Sequence, residues 1–107
     1  MKNTFKQGDT LYSSGGYNQT NINFYKIKKL VGKTMVEIVK LEKFSTSIEG
    51  NKTELDFYPR VNYELPYTLR RKIKQGAKRP YVSIDNYTIA TKLTEPFVTG
   101  THPNFGH

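Results

Sequence analysis

Between Ile22 and Lys43 the chain alternates apolar and polar residues twice, on either side of one turn signal, Val31-Gly32-Lys33. Period-two alternation is the pattern of a strand with one buried face, and a glycine between two such runs lets the chain reverse. Tyr25 and Ile27 share one face of the first run, and Phe24, Lys26 and Lys28 share the other. In the second run Val36 and Ile38 lie on one side, with Met35, Glu37 and Val39 opposite. Asp9-Thr10-Leu11-Tyr12, entered from Gly8, reads as a strand ahead of both. The three make an antiparallel meander, so the expected class is mainly β.

The rest of the chain is less regular. Phe44 to Thr53, rich in Ser, Thr, Gly and Asn, reads as a loop. Leu55 to Tyr67 carries Phe57, Tyr58, Tyr63 and Tyr67, but Pro59 and Pro66 interrupt it, which predicts an irregular wrap or a short helical turn. Leu69 to Lys74 is compatible with a strand or a helix and ends at Gly76, and Tyr81 to Asp85 and Tyr87 to Thr91 form a last β region with a bend near Asp85-Asn86. Glu95 to His107, with Pro96 and Pro103, reads as a surface tail. A chain of 107 residues fits a single domain, here residues 1–107. Short strands around one small core predict a small SH3-like or partly open antiparallel β-barrel. A partly open barrel leaves a strand edge that Lys26, Lys28 or the later basic run would protect, so the expected state is a monomer or an edge-paired dimer.

Charge points to the partner. Lys and Arg number 17 against nine Asp and Glu, a net +8, which favours an anionic partner. Arg70-Arg71-Lys72-Ile73-Lys74 with Lys78-Arg79 places six cations within ten residues, a density suited to phosphates. Together with Lys26, Lys28, Lys29 and Lys33 they form one basic face, or else two unrelated solvated stretches. Tyr12, Tyr17, Phe24, Tyr81 and Tyr87 lie near these charges or beside a polar loop. Rings interleaved with cations are what single-stranded nucleic acid uses, although most rings in a chain without Trp belong to the core. The expected nucleic-acid set is therefore Lys26, Lys28, Arg70, Arg71, Lys72 and Lys74 for phosphates, with Tyr17 and Phe24 for stacking.

The polar loop Ser13 to Asn21 has nine residues where a hairpin needs about two to five. Tyr17, Asn18, Gln19 and Asn21 are its candidate partner contacts, because their amides and phenol can read a base edge or a peptide backbone. Asn18 or Asn21 can equally serve by bonding its own backbone in a turn.

Other chemistry is poorly supplied. There is no Cys, and the two histidines, His102 and His107, fall in the expected tail. Gly15-Gly16 lacks the spacing of a phosphate-binding loop. No enzyme activity, cofactor or metal is expected. No apolar run approaches the ~20 residues of a membrane span, and Met1 to Lys6 lacks the apolar core of a signal peptide, so the expected location is the cytoplasm.

The run from Gly8 to Ile27, GDTLYSSGGYNQTNINFYKI, resembles a block shared by a family of small proteins of bacteriophages, plasmids and other mobile elements, and Tyr81 to Ala90, YVSIDNYTIA, resembles that family's second block. Where this chain has Gly15 and Asn18, the relatives usually carry Trp and Asp. The resemblance implies a mobile-element origin in a bacterial host and brings no activity or site residues with it. Proteins of that origin often bind nucleic acid, or block a host defence by occupying a nuclease or effector complex, as anti-CRISPR proteins do. The expectation is a mobile-element accessory protein that binds nucleic acid through a basic face; the alternative is an anti-defence inhibitor that binds protein. A virion assembly protein is a third class.

Overall fold

The structure, a computed structural model, describes residues 5–15, 21–48, 51–76, 79–85 and 88–101. The meander forms as the alternation requires: β1 (Thr10–Gly15) pairs antiparallel with β2 (Asn21–Val31), and β2 with β3 (Met35–Ile48). Gly32 makes the β2–β3 turn at φ +64°, a left-handed conformation that favours glycine. Then come β4 (Asn51–Gln75), β5 (Pro80–Asp85), β6 (Thr88–Lys92) and β7 (Val98–Thr101). The sheet order is β3-β2-β1-β6-β5-β4-β7, and a further β3–β4 pairing closes the first six strands into a ring. The described residues contain no helix, and the fold is a small, closed antiparallel β-barrel with one added strand.

Residues expected as a loop and an irregular wrap turn out to be strands. Phe44 to Ile48 continues β3, and the segment through Pro59 and Pro66 is part of β4. Pro66 falls where the β3–β4 ladder is interrupted, and Pro59 pairs with Lys43 one residue beyond a second interruption. Between Val39↔Thr68 and Leu41↔Glu64 strand β4 carries two extra residues, and before Glu42↔Arg60 three more. Bulges of this kind bend a strand and re-aim it. The tail also gains structure: Phe57↔Val98 and Asp56↔Thr99 join β7 to the outer edge of β4, and Thr99 Oγ1 donates to Asp56 Oδ1 at 2.8 Å.

Two cores result. Leu11, Tyr25, Ile27, Val36, Ile38, Val82 and Ala90 fill the ring, together with Phe5. Ile22, Phe24, Leu41 and Phe57 form a second cluster, joined by Tyr12, Leu93 and Val98. Phe24 and Tyr12 are register partners on the face of the β1–β2 pair that points away from the ring, and the bent β4 brings Phe57 over that face. This corrects the expectation for Phe24. It does lie opposite the apolar face of its strand, but it is fully buried and presents no ring for stacking.

Candidate nucleic-acid interface

Register decides where the cations fall. Lys29, Glu37 and Arg70 align across β2, β3 and β4, and Val31, Met35 and Lys72 form the next row. Directly opposed residues share a face, so the two basic stretches lie on the same outer surface. Their charges are not equally available. Glu64 holds Lys26 at 3.3 Å and Lys28 at 3.0 Å, and Glu37 holds Arg70 at 3.1 Å. The Lys28 hydrogen bond, then that of Lys26, holds the Glu64 carboxyl below the usual carboxylate range.

Arg71 has a different place from its neighbour. Alternation puts it between Leu69 and Ile73, both of which pack on the ring's core. Its Nε donates to Ser83 O at 3.0 Å, Nη2 to Ile84 O at 3.3 Å and Nη1 to Arg70 O at 2.9 Å. The β4–β5 ladder covers only Ile73 to Gln75 against Pro80 to Val82. Beyond it the carbonyls of β5 have no donor from β4's backbone, and the guanidinium supplies one. Arg71, expected as a phosphate contact, thus also bridges β4 to β5, with these three donors directed to backbone carbonyls. Lys43 acts similarly where β2 leaves β3, donating to Ile22 O and, at 3.2 Å, to Asn23 Oδ1.

Lys72, Lys74 and Arg79 of the later stretch remain, as do Lys29 and Lys33 of the earlier one. Among the described residues their side chains make no ion pair or hydrogen bond. Lys74 stands opposite Tyr81 on the outer face, one step from the inward pair Ile73↔Val82. The Tyr81 ring lies against Gly76, where an added Cβ would come 3.3 Å from Tyr81 Cδ1 and 2.8 Å from Arg79 O. Gly76 is therefore required by close approach, and its N–H donates to Arg79 O at 3.0 Å.

On the same outer face Tyr12 pairs with Thr91, and Ser83 with Ile89. These strands make the floor of a cleft of about 420 Å³ between Tyr12, Ser14, Arg79, Tyr81, Ile89 and Thr91. A smaller recess of about 180 Å³ shares Tyr12 and Arg79 and continues to Glu95 and Phe97. The cleft thus combines aromatic faces, hydroxyls and a guanidinium, and Lys74 is the register partner of one of its lining residues, Tyr81. That set can stack a planar ring and neutralise a phosphate.

Of the residues expected from sequence, Lys26, Lys28, Arg70, Lys72 and Lys74 share the outer surface, Arg71 bridges β4 to β5 and Phe24 is core. Tyr17, Asn18 and Gln19 lie outside the described residues; Asn21 pairs with Gly15 at the start of β2. Sequence reasoning did not find the cleft itself, with Gly76, Ile89 and Thr91, because it depends on β1 lying beside β6. The signal that was present is the Gly76 to Tyr81 turn, which sets an arginine and a tyrosine close together after a basic strand.

A second exposed surface lies on the β4 bulges. Val61, Tyr63 and Tyr67 are 41%, 54% and 48% exposed, and the Arg60 guanidinium sits 4.5 Å from the Tyr63 ring centre. No family model, curated protein or solved structure matches the chain.

Proposed function

We propose that this is a mobile-element accessory protein that binds nucleic acid, and that the contact surface is the outer face of β4, β5, β6 and β1. The observation that carries the reading is the meeting of Arg79 and the Tyr12 and Tyr81 rings at one cleft, with Lys74 opposite Tyr81 in the ladder and Arg79, Lys74 and Lys72 all unpaired among the described residues. The net charge of +8 gives long-range attraction for the same partner. Three phosphate contacts, from Lys72, Lys74 and Arg79, correspond to a slope of about −2 in log affinity against log salt for a single strand.

The test is fluorescence anisotropy of labelled DNA and RNA over a salt series, comparing Lys74→Gln/Arg79→Gln with Lys26→Gln/Lys28→Gln. Each pair removes the same charge. The reading requires the first pair to weaken binding far more and to flatten the salt slope. Equal effects of the two pairs, or no binding at low salt, would contradict it.

A second reading, an anti-defence inhibitor that binds a host nuclease or effector complex, is supported by Val61, Tyr63 and Tyr67 beside Arg60, since Tyr and Arg dominate interface hot spots. It requires a stoichiometric complex with such an effector that tolerates salt and is lost on Tyr63→Ala/Tyr67→Ala.

A further inference from the structure

We infer that the cleft between Tyr12 and Tyr81 is a seat for an unpaired base, so that the ligand is single-stranded nucleic acid rather than duplex; this rests on the nucleic-acid reading above. Both rings line the cleft, and its volume of about 420 Å³ falls at the small end of the range for ligand pockets, roughly 300–1,000 Å³. A duplex keeps its bases stacked on each other and offers only backbone and groove edges to a convex barrel surface. A single strand can turn a base into a recess, and an aromatic wall stacks any base without regard to its edge.

The surroundings match that occupant. Arg79 borders both recesses, so one guanidinium can hold a phosphate between two neighbouring bases. Lys74, opposite Tyr81, offers the next positive charge on the β4 side, and Lys72 follows two residues back along the strand. At the other end Glu95 repels phosphate while Phe97 offers a third ring. The path therefore runs with its backbone along Lys72, Lys74 and Arg79 and its bases toward Tyr81, Tyr12 and Phe97. Ser14 and Thr91 supply hydroxyls at the floor, which bond any base edge without strong selection.

The experiment compares four probes on the full chain at one low salt concentration: a short oligothymidylate, an abasic strand of the same length, a duplex of that length, and thymidine monophosphate. The variants are Tyr81→Leu, which keeps apolar bulk beside Gly76 but removes the π face, and Arg79→Gln; thermal melting of each establishes that it is folded. The expected result is that the wild type prefers oligothymidylate over the abasic strand and the duplex by about tenfold or more, the scale of one stacked base. Tyr81→Leu erases that preference and leaves abasic binding unchanged, whereas Arg79→Gln weakens both strands. Equal binding of oligothymidylate, abasic strand and duplex, insensitive to Tyr81→Leu, would overturn the base seat and leave the phosphate-binding face standing. The monophosphate binding as tightly as the strand would overturn it in favour of a free-nucleotide site. No binding of any probe would overturn the nucleic-acid reading itself.

Discussion

Replacing Arg71 by Met keeps the length of the side chain but removes three donors, two of which bridge to the Ser83 and Ile84 carbonyls of β5. Hydrogen bonds from a charged group contribute about 1.5–3 kcal/mol each, and leaving a partly buried carbonyl without a donor adds to the loss. The bond to Ser83 O, at 3.0 Å, has ordinary geometry, whereas that to Ile84 O, at 3.3 Å, is long. Taking about 2 kcal/mol for the first and about 1 for the second gives a loss of about 3 kcal/mol. A domain of this size holds about 5–15 kcal/mol, and each kcal/mol moves Tm by roughly 4–8 °C, so Arg71→Met lowers Tm by about 12–24 °C. Arg70→Met, one residue away, breaks only the exposed pair with Glu37 and costs about 0–1 kcal/mol. Arg71→Lys keeps the charge without the fork and restores less than half of the loss. Thermal and urea denaturation followed by circular dichroism give the comparison. Equal, small Tm shifts for Arg71→Met and Arg70→Met would refute the assignment of Arg71 to the β4–β5 bridge.

Three further outcomes are expected. Phe24→Ala empties the centre of the second core and costs about 3–5 kcal/mol in urea unfolding, where a ring exposed for stacking would cost almost nothing. Burial pushes the Tyr25 phenol up, with the Ser13 hydroxyl opposing in part. The unfolded chain therefore ionises first, and stability present below about pH 10 is lost as pH rises through the native value; Tyr25→Phe flattens that alkaline limb in a series of melts against pH. Glu64 behaves oppositely. Its lowered value means that stability present above the ordinary Glu range is lost as pH falls through the native value, a small effect at so exposed a site, and Glu64→Gln removes both this slope and its salt sensitivity.

Much of the barrel was legible because its strands alternate. Ile22 to Lys43 gave both strands and the turn at Gly32, and Tyr81 to Asp85 gave β5. The long β4 was not legible, since Pro59 and Pro66 read as breaks and only the pairing with β3 shows that they sit near bulges. Val98 to Thr101 was hidden for a similar reason: a short strand among Pro, Gly and Thr is specified by the open edge of β4 rather than by its own pattern. Phe24 shows the limit of alternation, which separates two faces of a strand but does not reveal that Phe57 returns to cover the second one. The parity of Arg71 was readable, because it falls between Leu69 and Ile73 on the inward side, yet charge density alone groups it with Arg70. The cleft needed topology: Tyr12 and Tyr81 are far apart in the chain and meet only because β1, β6 and β5 are neighbours.

The most direct test of the binding face is a titration of the isotopically labelled protein with a short single-stranded oligonucleotide, followed by amide chemical shifts in NMR. Saturable shifts are expected at Tyr12, Lys74, Arg79, Tyr81 and Thr91, with Lys26, Lys28 and the Val61 to Tyr67 bulge unmoved. Shifts centred on Lys26, Lys28 and Arg70, or no shifts at all at low salt, would contradict this binding face.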